Sequence, residues 1–237
     1  MANPFYRTRE AVKRILRNFQ VRWGSLRRLT PLSHVFGLDR GLSIDRYYIQ
    51  NFLAQQVRDI RGHVLEFADN DYTLKFGGKK VDRSDTFHLS PDNPKATIVA
   101  DLTSAKEIPS DTFDCIICTQ TLQFIYGVQA AAKTLYRILK PNGVLLVTFP
   151  GISQISRYDW DRWGEYWRFT TLSARKLFEE DFPAGQVRVE AHGNVLAATA
   201  FLQGIAAEEL RQKELDFHDP DYEVLITVRA VKPDTPS

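Results

Sequence analysis

The sequence predicts an α/β protein built on an open, mostly parallel sheet with helices on both faces. The main evidence is residues 113–150, which read as a strand, a helix, a turn and a second strand. Both strands are continuous apolar runs, as expected for strands buried on both faces. Two such strands joined by a helix lie parallel, with a right-handed crossover. In such sheets, ligands bind beyond the carboxyl ends of the strands.

Each element of this unit has its own sequence signal. Residues 114–119 and 144–148 are the two apolar strands, and residues 129–139 place apolar side chains at helical spacing. The Pro-Asn-Gly sequence at 141–143 ends the helix, because proline cannot continue it and asparagine or glycine accepts the left-handed turn that follows.

Weaker patterns extend this organisation in both directions. We expect helices over residues 44–60 and 195–210, and further strands over residues 63–67, 85–89, 97–100, 187–191 and 223–231.

Residues 1–41 are predicted to form a helical appendage and connecting loop, separate from a domain of residues 42–237. Residues 1–30 carry eight lysines and arginines against the single acid Glu10, with apolar residues every three or four positions. This pattern indicates a basic amphipathic helix. Such a helix suits a membrane surface, a phosphorylated substrate or another subunit, or it packs on its own domain with a solvated basic face.

Composition favours a soluble enzyme. The chain has 237 residues, 43% hydrophobic and 25% charged, which suits one large domain with an appendage. No apolar run approaches the roughly 18 residues that a membrane helix needs, and the first residues lack a signal-peptide core, so we expect a cytoplasmic protein. A net charge of +2, without a basic strand pair rich in aromatics, does not favour nucleic-acid binding.

The two cysteines do not predict a metal or redox site, despite their spacing. Cys115 and Cys118 lie on one predicted strand, where residues three apart point to opposite faces. We expect both thiols to be buried as small hydrophobic groups. The five histidines are scattered and add no metal-ligand spacing, so no metal is predicted.

Several segments together resemble a class I S-adenosylmethionine-dependent methyltransferase. FDCIICTQTLQFI followed by LYRILKPNGVLLVTFP is similar to its fourth and fifth strands, GHVLEFADNDYT to its first strand and cofactor turn, and ATIVADLT to its third strand. The stretch PGISQISRYDWDRWGEYWRFT resembles a bacterial methyltransferase type 11-like subgroup associated with glycan and secondary-metabolite pathways. The resemblance covers residues 44–232 and implies a doubly wound, Rossmann-like sheet of seven strands, with S-adenosylmethionine as cofactor. It also implies that the helix before the first strand helps to cover the cofactor, so that Arg46, Tyr47 and Tyr48 border the site. The alternative is that the tyrosines pack and the arginine contacts solvent.

The first turn departs from the family pattern. In the family this turn is rich in glycine and meets the cofactor, whereas here the candidate cofactor residues are Glu66, Ala68, Asp69, Asn70 and Tyr72. Glu66 matches the family's acid. Ala68 is small and Asn70 tolerates a positive backbone dihedral, so the turn can form, although Tyr72 would crowd it.

Further cofactor contacts are implied at later strand ends. The predicted second strand ends without the acid that usually binds the ribose, leaving His88 and Asp92 as substitutes. Asp101 is expected to contact the adenine with the Leu102 amide, or to cap the following turn. After the fourth strand, Thr119 and Gln120, with Gln123 nearby, are expected beside the methionine part.

Residues 151–170 are rich in groups that bind an acceptor substrate. They hold three of the four tryptophans, and the candidate contacts are Tyr158, Arg162, Trp163, Tyr166 and Arg168. Aromatic faces stack on rings, and arginines hold phosphate or carboxylate. The alternatives are a self-packed lid or a dimer surface, and the second of these would make the protein a homo-oligomer.

An oxygen acceptor also benefits from a general base. His192 is the first candidate, because it follows the predicted sixth strand at the ligand edge. Asp159 and Asp161 are the reserves.

The prediction is therefore a biosynthetic S-adenosylmethionine-dependent O-methyltransferase acting on a sugar, a glycan or another small polar metabolite. One alternative is an enzyme of the same fold with altered chemistry. The other is a degenerate, non-catalytic binding or assembly module that uses the basic helix as its contact. The altered first turn favours these alternatives, whereas residues 151–170 favour an enzyme.

Overall fold

The structure, a computed structural model, describes residues 24–234. The chain divides into two compact units, residues 1–31 and 32–237. In the smaller unit, Gly24–Leu26 form a single 3-10 turn. Most of the predicted basic helix falls on residues 1–23, outside the described residues, so that helix stays a prediction.

The larger unit is built on one sheet of seven strands, in the order β3-β2-β1-β4-β5-β7-β6. The strands are β1 Gly62–Phe67, β2 Val81–His88, β3 Ile98–Val99, β4 Phe113–Thr119, β5 Leu139–Pro150, β6 Val187–His192 and β7 Leu225–Val231. The first five pair in parallel, and β7 lies antiparallel between β5 and β6. The predicted mostly parallel seven-stranded sheet is therefore confirmed.

Helices cover both faces of the sheet and create two cores. The helices are α1 Ile44–Gln55, α2 Val128–Ile138, α3 Arg157–Trp163, α4 Thr171–Glu179, α5 Val195–Gln203 and α6 Gln212–Leu215. Buried side chains of α2 and α4 pack on one face with the alternate strand residues Leu65 and Ile116. Those of α1 and α5 pack on the other face with Val64 and Ile117. This arrangement is the doubly wound one that the apolar strands predict.

The two cysteines lie in different cores. Cys115 belongs to the core under α1 and α5, and Cys118 to the core under α2 and α4; both are fully buried and free. Burial raises the pKa of both thiols, that of Cys118 to about 12. The prediction of opposite faces and structural burial is confirmed.

Some element boundaries differ from the predicted ones. The helix predicted over 195–210 ends at Gln203, because Gly204 takes a left-handed conformation with φ +68°. Strand β5 begins at Leu139 rather than at 144. Its Pro-Asn-Gly sequence pairs with the end of β7, where Asn142 N donates to Lys232 O at 2.9 Å and Lys232 N donates to Gly143 O at 3.0 Å.

The segment before α1 is fastened to the larger unit. Leu32 N donates to Gln203 O at 2.7 Å, and Leu42 N donates to the Glu208 carboxylate at 2.9 Å. Residues 32–41, which the sequence grouped with the appendage, thus lie within the larger compact unit. That residues 1–41 act as a separate appendage stays a prediction. No helix within 24–234 has the length and apolar character needed to cross a membrane.

The burial of both thiols leads to a chemical prediction. A thiol-specific reagent should label neither Cys115 nor Cys118 in the folded protein, because the reactive thiolate is suppressed and inaccessible. Labelling in guanidinium chloride is the control and should modify both. Rapid labelling of either cysteine under native conditions would contradict the two-core arrangement.

Candidate active site

A cavity of about 1050 Å³ opens at the carboxyl ends of the parallel strands. Its floor includes Phe67 of β1, His88 of β2, Thr119 of β4 and Pro150 of β5. Its other walls come from residues 34–38 and from the segment after β5. A cavity of this size accommodates a nucleoside cofactor together with a small second substrate.

Eight of the nine predicted cofactor residues line this cavity. They are Glu66, Ala68, Asp69, Tyr72, Asp101, Leu102, Thr119 and Gln120. Asn70 does not line it, because its amide nitrogen instead donates to Ser84 Oγ at 3.2 Å. The strand ends thus bring together residues from three separate turns.

Glu66 holds the first turn in shape. Its side chain is buried, Oε1 accepts from Tyr72 N at 3.1 Å, and Oε2 accepts from both Thr73 N and Thr73 Oγ1 at 2.7 Å. Burial raises the pKa of Glu66 to about 7, even though these hydrogen bonds favour the carboxylate. The carboxylate thereby ties the end of β1 to the π-helical turn Thr73–Gly77.

Ala68 carries the unusual backbone conformation of this turn. Its φ is +70°, a value that favours glycine, whereas Asn70, the residue we expected to tolerate a positive φ, does not have one. Ala68 N donates to Phe87 O at 3.0 Å, and the Asn93 amide nitrogen donates to Ala68 O at 2.6 Å. At Ala68, the first glycine position of the family pattern, the backbone therefore follows the path that a glycine would take, and the alanine is strained there.

Tyr72 does not crowd the turn. Its ring stacks near Phe76, and its hydroxyl accepts a hydrogen bond from Arg46 Nη1 at 2.9 Å. Burial alone would lower the pKa of Arg46, but the Tyr72 oxygen and the Asp45 carboxylate outweigh it and raise that pKa. Arg46 lines the cavity and Tyr47 and Tyr48 do not, which divides the predicted trio.

Asp101 combines the two roles that the sequence left open. Its Oδ1 caps the following turn by accepting from Thr103 N and Thr103 Oγ1, both at 2.8 Å, while the residue also lines the cavity. At the end of β2 the cavity is lined by His88, whose Nδ1 accepts from Ser90 N at 3.0 Å, and not by Asp92.

The segment between β5 and α4 forms the outer wall, and Glu223 holds both of its ends. Ile152 N donates to Glu223 O at 2.9 Å, and Thr171 Oγ1 donates to the Glu223 carboxylate at 2.6 Å. Gly151 is required at the start, since a Cβ there would overlap the Glu223 backbone. We call residues 151–170 the outer segment.

Only part of the predicted acceptor set faces the cavity. Tyr158, Trp163 and Tyr166 line it, but Arg162 and Arg168 do not. Arg162 stacks over the Tyr158 ring at 3.5 Å, and Arg168 pairs with Glu165 at 2.6 Å. Both arginines therefore brace the outer segment.

The structure places the first candidate base outside the cavity. His192 does not line the cavity: its Nε2 lies 3.1 Å from Thr227 Oγ1, its ring stacks on Tyr48, and burial lowers its pKa. Asp161 also lies outside the lining. Asp159 lines the cavity and accepts from Ser156 Oγ at 2.6 Å, so it is the one predicted base that reaches the site.

Gln123 is the most informative polar group in the wall. Its side chain is 3% exposed, and its Oε1 has no hydrogen-bond partner among the described residues. Its Nε2 donates to Gln120 Oε1 at 3.2 Å, and its backbone oxygen accepts from Tyr166 N at 2.8 Å. A buried, unpaired acceptor is costly, so a hydrogen-bond donor on a ligand or an ordered water would stabilise Gln123.

Sequence reasoning missed the wall formed by residues 34–38 and the exposed ring of Tyr126. No local pattern marks them, because they reach the cavity only through tertiary packing. Within residues 24–234, no cluster of three or more His, Cys, Asp or Glu side chains is arranged to hold a metal ion.

Comparison with known proteins finds a matching family model and solved structures of similar fold. A model described as "Methyltransferase domain" matches residues 54–147, and no curated protein matches the chain. A SAM-dependent methyltransferase from Archaeoglobus fulgidus superposes with a TM-score of 0.52 at 12% identity, covering 79% of this chain and 94% of that one.

Two further solved structures show the same fold. A protein described as a possible sarcosine dimethylglycine methyltransferase from Galdieria sulphuraria has a TM-score of 0.54 at 13% identity, covering 80% of this chain and 87% of that one. The [4+2]-cyclase SpnF has a TM-score of 0.51 at 17% identity, covering 83% and 84%. At such identities the structural likeness establishes the fold alone.

The strain at Ala68 can be measured. Ala68→Gly should stabilise the protein by about 0.5–1 kcal/mol, because it relieves left-handed strain of about 1–2 kcal/mol against a smaller entropic cost. Asn142→Gly is the matched control: its φ is +63°, but asparagine tolerates this region, so no gain is expected. Urea unfolding provides both values. A destabilised Ala68→Gly protein would show that the Cβ makes contacts that outweigh the strain.

Proposed function

We propose that this class I S-adenosylmethionine-dependent methyltransferase methylates a hydroxyl oxygen on a sugar, a glycan or another small polar metabolite. The assignment to this family rests on the matched methyltransferase domain together with the strand order of the sheet. The observation that supports the acceptor class is the unpaired Gln123 oxygen in the cavity wall, because a hydroxyl of the acceptor would supply the hydrogen bond that this oxygen lacks among the described residues.

The cavity residues fit the cofactor. The left-handed backbone at Ala68 retains the path of a glycine turn, and Asp101 and the Leu102 backbone lie at the end of the third strand. In this proposal Asp101 and the Leu102 amide contact the adenine, the first turn meets the amino-acid part, and Thr119 and Gln120 lie beside the methionine part. When bound, S-adenosylmethionine supplies an electrophilic methyl group on a sulfonium.

The chain's own contribution to the reaction is alignment. Methyl transfer from a sulfonium is a direct displacement, so a fixed acceptor oxygen in line with the methyl group provides most of the acceleration. Gln123 Oε1 would accept a hydrogen bond from the acceptor, and the rings of Tyr158, Trp163 and Tyr166 offer faces for stacking. Asp159 is the proposed base that removes the hydroxyl proton.

A second candidate is altered chemistry on the same fold. SpnF, described as a [4+2]-cyclase, shares this fold at 17% identity, so the fold does not by itself fix the reaction. The third candidate, a non-catalytic module, would use the basic residues 1–30 to contact a membrane surface or a subunit. Measurements of cofactor binding and of turnover distinguish both candidates from a methyltransferase. A homo-oligomer and a cytoplasmic location remain part of the proposal.

Cofactor binding is the first test. Calorimetry on the purified protein should detect both S-adenosylmethionine and S-adenosylhomocysteine, and Asp101→Ala should weaken each by about tenfold, as expected for one hydrogen bond to a charged group. Asp219→Ala is the matched control, because Asp219 Oδ1 also accepts from a backbone amide two residues on, outside the cavity. Absence of binding at millimolar cofactor would reject the proposal.

Substitution of Gln123 tests the proposed binding of the acceptor. With a panel of hydroxylated sugars and glycosides as acceptors, Gln123→Leu should lower kcat/KM by about tenfold and weaken S-adenosylhomocysteine by a much smaller factor. Gln203→Leu is the control, since Gln203 Oε1 is also buried without a partner among the described residues but lies outside the cavity lining. Equal kinetic effects of the two substitutions would remove Gln123 from acceptor binding.

A further inference from the structure

We propose that the acceptor is an amphiphile, with a hydroxylated head group inside the cavity and an apolar chain that leaves the cavity over exposed apolar side chains of its wall. The inference rests on the proposed function, because it narrows the acceptor class of the same cavity. It commits to a single small molecule as the occupant of this apolar surface.

The first argument is a set of apolar side chains that line the cavity and are nevertheless exposed. They come from the turn before α1, the loop after β4 and the outer segment, and their exposed fractions lie between 42% and 72%. Single exposed apolar residues are normal, but a set gathered on one concave surface is typical of a ligand-binding groove. We call this set the rim: Val35, Leu38, Tyr126, Ile155, Tyr158 and Tyr166.

The second argument is that the turn carrying Val35 and Leu38 is fixed by the fold. Ser33 Oγ accepts from Val35 N and from Gly37 N, both at 3.1 Å. Leu38 N donates to Val35 O at 3.0 Å. A Cβ at Gly37, where φ is +83°, would meet Gly204 O at 3.0 Å, so the turn lies directly on the backbone that follows α5. The turn is therefore firmly held while it presents two large aliphatic side chains to solvent.

The aliphatic side chains of the rim lie on two segments that contact each other. Gln154 Nε2 donates to His34 O at 3.0 Å, and both of these residues line the cavity. This hydrogen bond joins the turn to the outer segment at the residues next to Val35 and Ile155. The wall at this point offers aliphatic surface from both segments, which suits an alkyl chain.

The aromatic side chains of the rim lie next to the group that is proposed to bind the acceptor hydroxyl. The Tyr126 and Tyr166 ring centroids are 5.4 Å apart, and Tyr166 N donates to Gln123 O at 2.8 Å. A tyrosine presents an apolar ring with a polar tip, so it suits the junction between a polar head and an apolar chain. Gln123, the tyrosines and the aliphatic turn thus provide a polar, an intermediate and an apolar surface in one cavity.

The test compares two probes that share a head group. Butyl β-D-glucoside and octyl β-D-glucoside differ only by four methylene groups in the chain. By calorimetry on the full-length protein loaded with S-adenosylhomocysteine, below the micellar concentration of the octyl compound, octyl glucoside should bind at least about tenfold more tightly. Each methylene that the rim buries contributes up to about fourfold in affinity.

Substitutions in the rim should reduce this selectivity for the longer chain. Leu38→Gln and Ile155→Gln should each weaken octyl glucoside by about three- to tenfold and leave butyl glucoside nearly unchanged, because they replace apolar surface that only the longer chain reaches. Leu38→Met retains the apolar surface and should bind octyl glucoside as the unmodified protein does. Leu172→Gln is the matched control and should change neither affinity, since Leu172 on α4 is 66% exposed but lies outside the cavity lining.

Each other outcome has a definite meaning. Equal affinity for the two glucosides, or binding of neither, would overturn the inference. Two outcomes would give the rim a different occupant and overturn it as well: binding to phosphatidylcholine vesicles that both glutamine variants lose, without octyl selectivity, or a dimer detected by light scattering that both variants dissociate. If octyl selectivity is found but S-adenosylhomocysteine does not bind, the proposed function fails and the amphiphile is not a methyl acceptor.

Discussion

The site depends on one buried carboxylate. Glu66 is placed by β1, and its oxygens organise the backbone of the next turn through the amides of Tyr72 and Thr73. Burial opposes the charged form while these donors support it, and the result is a pKa of about 7. The Tyr72 hydroxyl and, through it, the Arg46 guanidinium are placed relative to this group, whereas the Ala68 backbone is held by Phe87 O and the Asn93 amide. A turn that lacks glycines thus keeps its shape through side-chain hydrogen bonds.

The parallel strands explain why so many predicted cofactor residues meet. Residues that follow β1, β3 and β4 must emerge at one edge of the sheet, so Glu66, Asp101 and Thr119 were predictable from strand order. The cores were predictable for a similar reason. Alternation along β4 separates Cys115 from Cys118, and continuous apolar strands require helices on both faces.

Some predicted site residues lie outside the cavity for reasons that the sequence alone does not show. His192 follows a strand at the expected edge, but β7 lies between β6 and β5, so this strand end is displaced from the cavity. Arg162 and Arg168 were chosen by composition, which does not reveal that they pair within their own segment. The wall from residues 34–38 depends on tertiary approach, for which a single sequence has no signal.

The hydrogen bonds between Gln123 and the outer segment have a consequence for how specificity can change. Gln123 O accepts from Tyr166 N, and Trp167 Nε1 donates to Ile125 O at 3.0 Å, so hydrogen bonds join the loop after β4 and the outer segment into one framework. Grafting the outer segment alone onto a related scaffold would break this framework. In the proposed acceptor site the two segments therefore form one unit, and an exchange of acceptor preference requires that both be exchanged together.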